Sequence, residues 1–275
     1  MAPQGHAPDR INSGTPNIRF EMRIRIAISI VFLIIGTSLL AGDSSITATT
    51  QEKPIYKSTG SEGTIVGTIW FAGTPPKPRH IDVSADPPCY KVNADPITEW
   101  VVVNDQKLGN VLVYVRSEVL DSYSFPTPEA ETTLEHRGCR YEPHVLGVQT
   151  NQTLNVANND PTPQNTHATA KNNPDWNQMQ TVGSPAVALR FKSPEVAVAM
   201  KDNLHPWEKA YVGVFAHPFF AVTGTDGAYK ITGLPPGQYK VVAWHETLGE
   251  QTIDTFVAGS EQKYLDFTFK ASASN

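Results

Sequence analysis

Cysteine is scarce in this 275-residue chain: there are two, Cys89 and Cys139. Two thiols exclude a disulfide-dense scaffold and a four-thiolate zinc site, and they lack the C-x-x-C spacing of a redox pair. Charge is sparse as well. Charged residues make up 18% and the formal net charge is −5, so no basic face invites nucleic acid. Past the amino-terminal region no segment sustains a helical period. Catalytic signatures are missing too: there is no G-x-S-x-G elbow, no H-E-x-x-H, and no carboxylate pair spaced for glycoside hydrolysis. These gaps point away from an enzyme.

Turn formers are abundant, with 22 prolines and 19 glycines, as many short strands joined by turns require. The strand candidates are Thr64–Phe71, Trp100–Val103, Val111–Val115, Thr153–Val156, Val196–Met200, Tyr211–Phe215, Tyr229–Ile231, Tyr239–Trp244 and Tyr264–Phe269. In the last, Leu265, Phe267 and Phe269 share one face while Asp266 and Thr268 take the other, the period of a half-buried strand. Asn104-Asp105, Asn158-Asn159-Asp160-Pro161, Thr225-Asp226-Gly227 and Pro235-Pro236-Gly237 supply turns between them. The fold class is therefore all-β. Arg116–Glu135 and Ala168–Gln180 are polar and Pro-containing, and read as loops.

At the amino end, Arg23 and Arg25 precede an apolar run from Ile26 to Ala41, followed by Asp43-Ser44-Ser45. A basic start and an apolar stretch of this length form a hydrophobic helix of the secretory-signal type. The run is short of the roughly 18 apolar residues of a membrane span, and an uncleaved anchor stands as the alternative. Residues 1–42 are thus a signal peptide or anchor, with the true start possible at Met22, and residues 43–62 are a polar linker. The expected location is periplasmic, secreted, or anchored to the outer face of the inner membrane. Cys89 and Cys139 in an exported chain are expected to form one disulfide. Asn151-Gln152-Thr153 is a formal glycosylation sequon, read here as an ordinary turn.

Residues 141–215 carry a recognisable pattern. Tyr141-Glu142-Pro143-His144-Val145 leads to Asn158-Asn159-Asp160-Pro161 and Gln164-Asn165-Thr166-His167. Later, Lys201-Asp202-Asn203-Leu204-His205-Pro206-Trp207-Glu208 runs into Tyr211-Val212-Gly213-Val214. This resembles the cupredoxins, Greek-key sandwiches of the plastocyanin type, in the exported bacterial branch whose late motif is C-x-x-H-P-W-M. The resemblance implies a copper site built from one early histidine and the Cys, His and Met of the late loop. Here Gln164 stands at the first histidine, Asp202 at the cysteine and Glu208 at the methionine; only His205 remains. Without a thiolate the resemblance implies the fold but not a blue-copper centre. Two readings of these positions follow. Either the vacated site is a hydrogen-bonded polar cluster, or Asp202, His205 and Glu208, with His167 nearby, hold a harder divalent ion than copper.

Residues 217–241 carry a second pattern: His217-Pro218-Phe219-Phe220-Ala221-Val222-Thr223, Thr225-Asp226-Gly227-Ala228-Tyr229-Lys230-Ile231, and Gly233-Leu234-Pro235-Pro236-Gly237-Gln238-Tyr239. They resemble the carboxypeptidase regulatory-like module, a small transthyretin-like sandwich. Serially, residues 63–217 would be the cupredoxin-like region, 218–270 the regulatory-like domain and 271–275 a tail. Gly63–Ile69 and Val111–Val115 also fit the opening strands of the second module, which would nest the first inside it. Both arrangements stay open. His80, His136, His144, His217 and His245 are scattered and read as structural.

Together these features predict an exported, non-catalytic β-sandwich binding protein of the cell envelope with a degenerate copper site. A glycan or an envelope protein is the expected partner, membrane contact is confined to the amino-terminal segment, and no cofactor is expected. The alternative is a non-blue metal protein using Asp202, His205 and Glu208, and electron transfer through copper is a distant third.

Overall fold

The computed structural model describes residues 52–271; the leader, the start of the linker and the last four residues, with the expectations attached to them, lie outside the described residues. Among the described residues no helix is long and apolar enough to cross a membrane. In chain order the strands are β1 (Gly63–Ala72), β2 (Val103–Asn104), β3 (Lys107–Leu108), β4 (Leu112–Arg116), β5 (Thr132–His136), β6 (Tyr141–Glu142), β7 (Val145–Gln149), β8 (Leu154–Asn158), β9 (Gln164–Thr169) and β10 (Trp176–Gln180). They continue as β11 (Val187–Leu189), β12 (Glu195–Lys201), β13 (Lys209–Phe215), β14 (Phe220–Val222), β15 (Ala228–Leu234), β16 (Gly237–His245), β17 (Gly249–Val257), β18 (Gln262–Tyr264) and β19 (Phe267–Lys270). Two short helices, α1 (Pro87–Val92) and α2 (Glu118–Asp121), interrupt them.

Four sheets result. One runs β15-β1-β3-β2, with β18 and β19 also pairing β1; a second runs β14-β4-β16-β17. The two enclose a core that includes Ile65, Ile69, Phe71, Val113, Val241, Phe267 and Phe269. The third sheet, β10-β9-β12-β13-β7, and the fourth, β11-β8-β5-β6, enclose a separate core around Leu134, Leu154, Val156, Met200 and Val212. Both of these sheets are mixed, since β13 runs parallel to β7 and β5 parallel to β8. Strand β1 thus lies beside partners some 160 or more positions later, at Ala228–Leu234 and Phe267–Lys270.

The continuous apolar run at β4 is explained by burial on both faces. Val113 and Val115 enter the first core, whereas Leu112 and Tyr114 join Val145, Phe215 and Val242 in a cluster against the third sheet. Turn chemistry is as the sequence indicates at Asp226-Gly227: Gly227 takes φ +63°, where an added Cβ would meet Ile69 O at 2.8 Å. The pattern of Leu265, Phe267 and Phe269 also holds, with Phe267 and Phe269 buried and Asp266 and Thr268 exposed.

Several local expectations are corrected. Trp100–Val103 is not a strand along its length; only Val103–Asn104 pairs, in the tight β2–β3 hairpin. Within the stretch expected to be loop, Trp176–Gln180 pairs antiparallel with Gln164–Ala168, and Thr132–His136 pairs with β8. Their polar side chains hide the alternation, because β10 is an edge strand half open to solvent.

Candidate metal centre

The late motif folds as a closed loop between β12 and β13, and Asp202 closes it. Its Oδ1 accepts the backbone N–H of Leu204 at 2.5 Å and of His205 at 2.7 Å, an Asx-type turn. Glu208 N donates to His205 O at 2.8 Å and completes the loop. Asp202 Oδ2 accepts the backbone N–H of Asn165 at 2.7 Å, which ties the loop to β9. The Asn158–Pro161 turn contributes Asp160, whose carboxylate accepts Gly138 N, Cys139 N and Gln164 Nε2.

The four residues singled out in the two motifs, Gln164, Asp202, His205 and Glu208, converge. Gln164 Oε1 lies 2.5 Å from His205 Nδ1, and that nitrogen lies 3.6 Å from Asp202 Oδ2 and 3.7 Å from Glu208 Oε1. All four side chains are buried, with Glu208 1% exposed. His167 is not among them: it faces away from β9's inner side and pairs with Asp175 at 2.9 Å. A residue read from sequence as structural takes its place. His136, at the end of β5, is fully buried, with Nδ1 2.7 Å from Glu208 Oε2 and 3.9 Å from Asp202 Oδ2. The donor atoms of His136, Asp202 and Glu208 lie within 4.8 Å of one another. No local motif marks His136; its place follows from the parallel pairing of β5 with β8.

Proton positions follow from the hydrogen bonds. Because Gln164 Nε2 donates to Asp160, its Oε1 faces His205, whose Nδ1–H donates to it. On the other side, His205 Nε2 donates to Asp86 Oδ2 at 3.1 Å. Both ring nitrogens are donors, so His205 is an imidazolium. Burial would push it down, but pairing with Asp202 and Asp86 overcomes this and holds it up at about 9. Burial likewise opposes ionisation of Asp202, yet its bonds to His205 and to the Asn165, His205 and Leu204 amides keep it below the usual carboxylate range. Glu208 is the opposite case: burial and the neighbouring Asp202 charge push it up to about 9. Burial also pushes His136 down to about 4. A neutral Glu208 therefore donates from Oε2 to His136 Nδ1, and His136 donates from Nε2 to Thr166 Oγ1 at 2.8 Å. Glu208 Oε1, buried, has no hydrogen-bond partner.

These donors do not fit a blue-copper ion. Both cysteines are joined to each other as the Cys89–Cys139 disulfide, and Asp202 and Glu208 offer carboxyl oxygens rather than soft sulfur donors. Three of them, His136, Asp202 and Glu208, form a buried group of the kind that holds a harder cation. In a tetrahedral site with bonds near 2.0–2.1 Å, donors sit about 3.3 Å apart. The imidazole–carboxyl separations here run from 2.7 to 3.9 Å. Each imidazole is anchored through Nε2 to an outer oxygen, Thr166 or Asp86, with Nδ1 turned inward, the second-shell arrangement that orients metal-binding histidines. An open cavity of about 280 Å³ beside Asp86, Thr162, Leu204 and Trp207 reaches the outer edge of His205. A more capacious groove of about 610 Å³ lies elsewhere, by Arg116, Ser117 and Gln238; its Lys240 and Asp254 pair with each other.

No protein-family model matches the chain, and no curated protein matches it. Parts of the chain are similar to solved structures. Amicyanin from Paracoccus versutus (Thiobacillus versutus) matches at 17% identity over 37% of this chain and 96% of that one, with TM-score 0.28. A Cu(I) form of an amicyanin variant matches at 20% identity over 37% and 97%, with TM-score 0.28. Cu-containing nitrite reductase from Thermus scotoductus SA-01 matches at 15% identity over 31% of this chain, with TM-score 0.28; the match spans only 22% of that reductase.

Proposed function

We propose that this is an exported, non-catalytic binding protein whose buried centre holds one divalent cation of the Zn²⁺ class. The two modules are the scaffold that presents that centre in the cell envelope. Its ligands are His136 Nδ1, Asp202 and Glu208, whose donor atoms lie within 4.8 Å of one another, with His205 Nδ1, 3.6 Å from Asp202 Oδ2 and 3.7 Å from Glu208 Oε1, drawn in as the fourth. The reading is carried by Glu208 Oε1, a buried oxygen with no hydrogen-bond partner, 3.7 Å from the His205 imidazole. An orphaned buried acceptor is costly unless something compensates it. A cation would compensate it, taking the place of the Glu208 proton and of the Nδ1 proton on His205. Two imidazoles and two carboxylates suit Zn²⁺, Mn²⁺ or Fe²⁺ better than a copper redox couple.

Calorimetric titration of the chelator-treated chain with Zn²⁺ and Mn²⁺ tests this. About one ion per chain is expected, and His136→Ala and His205→Ala should each abolish that uptake. Addition of Cu(II) should give no intense blue absorbance. Uptake that is absent, or that both variants leave unchanged, would sink the reading; a strong blue band would restore copper.

A further inference from the structure

The disulfide lies against the same centre, and each of its sulfurs belongs to a different donor group. Cys89 Sγ lies within 4.8 Å of donor atoms of Asp86 and His205, and Cys139 Sγ within 4.8 Å of donor atoms of Asp160 and Glu208. Both cysteines are buried, and their Cα atoms are 5.5 Å apart. The backbone holds each in place independently of the bridge. Asp86 caps α1 by accepting Cys89 N at 2.9 Å while its other oxygen holds Thr162 and His205. On the opposite side Asp160 accepts Cys139 N at 2.9 Å, and Trp207 Nε1 donates to Cys139 O at 3.1 Å. Opening the bridge therefore leaves two sulfurs side by side, next to an imidazole and a carboxylate.

We propose that the Cys89–Cys139 bridge masks a second, thiolate-containing metal site. Once reduced, Cys89, His205 and Asp86, whose donor atoms already lie within 4.8 Å of one another, take up a soft or borderline divalent ion, and Cys139, freed from the bridge beside Cys89, moves in as the fourth ligand. The exchange balances with a dithiol as reductant. The dithiol closes to its own cyclic disulfide and transfers two electrons and two protons, the S–S bond breaks, and both cysteines become thiols. The incoming ion then displaces the two thiol protons to solvent. Both sets accept Zn²⁺, but two sulfurs with one nitrogen and one oxygen add a strong preference for softer ions such as Cd²⁺ that the nitrogen–oxygen set of the oxidised chain lacks. His205 belongs to both sets, so the redox state of the bridge decides whether the centre gains affinity for soft ions. The thiolate site does not depend on the oxidised chain binding a metal, because it uses neither His136 nor Asp202.

Cd²⁺ is the probe, since a thiolate–Cd²⁺ charge-transfer band in the near ultraviolet reports sulfur ligation directly. The full chain is titrated before and after treatment with a dithiol, with the reductant removed anaerobically and free thiols counted. The oxidised chain should give no band. The reduced chain should give a band saturating at about one Cd²⁺, with both thiols protected from alkylation. Cys139→Ser should remove the band, His136→Ala should leave it intact, and His205→Ala should weaken binding by roughly tenfold or more. A reduced chain with two countable thiols and no band overturns the proposal. So does a band that survives Cys139→Ser or is undiminished in His205→Ala, the behaviour of an unfolded dithiol. Loss of Zn²⁺ uptake by the oxidised chain alone would instead strike the proposed nitrogen–oxygen centre and leave this site standing.

Discussion

Glu208 concentrates the chemistry of the centre in one side chain. In the ion-free chain it is a neutral acid, because burial and Asp202 oppose its charge. Glutamine is nearly isosteric and also neutral, and its amide N–H can donate to His136 Nδ1 as the acid does. Glu208→Gln should therefore shift the urea midpoint at pH 7 very little while removing Zn²⁺ uptake in the calorimeter. A large loss of stability would show that Glu208 is ionised in the ion-free state. Gln164, Asp202, His205 and Glu208 were legible in the sequence because they occupy fixed positions in two short motifs. His136, Asp86 and Asp160 were not legible as partners. They reach the centre from β5, from the cap of α1 and from a turn, and no local spacing relates them.

Strand β1 shows how an element can depend on one missing atom. It pairs in parallel first with β18, through Val66–Tyr264, and then with β19, from Ile69–Phe267 onward. The break between them falls at Gly67, where an added Cβ would sit 1.8 Å from Leu265 O. Asp266 bridges the gap, accepting Thr68 N at 2.7 Å and Trp70 Nε1 at 3.2 Å, so the interrupted ladder leaves no orphan there. Gly67→Ala must push the two strands apart and should cost about 1–3 kcal/mol or more in urea denaturation. An unchanged midpoint would mean that the break is looser than described. At this scale the sequence was a good guide wherever a strand has one wet and one dry face, as at Phe267 and Phe269. It failed for β9 and β10, whose Asn, Gln and Thr side chains are held by partners from elsewhere, such as Asn165 by Asn177 and Gln180 by Val156 O.

For the whole molecule, buried imidazoles and carboxyls set the pH range of stability. Burial holds His136, His217 and His245 down at about 4, below their ordinary 6.5. His245 Nδ1 accepts the Thr247 and Leu248 amides, which fixes its neutral form. Between pH 4.5 and 6.5 the unfolded chain takes up protons on these three rings, while the native state holds one extra proton on Glu208. The unfolded state binds more protons, so stability rises with pH. From 6.5 to about 9 the native state alone keeps protons on Glu208 and His205, and stability falls as pH rises. Denaturation midpoints of the chelator-treated chain should therefore peak near pH 6.5, and Zn²⁺ should lift the alkaline limb by replacing both protons. A metal-free profile that climbs steadily from pH 7 to 9 would contradict these assignments.

By itself the sequence determined the β class, most of the strands, the pairing of the two cysteines, and the carboxyl groups at positions 202 and 208. Each of these is written in local order, as a two-residue period, a turn, a composition or a motif. Tertiary structure alone decided which strands are neighbours, placing β1 beside β15, β18 and β19. It also decided what Asp202 and Glu208 face. Sheet pairing and a closed loop brought His136 and His205 against two carboxyl groups, and put both sulfurs of the bridge beside them. Those contacts join residues far apart in the chain through burial and hydrogen bonding, and no local pattern encodes them.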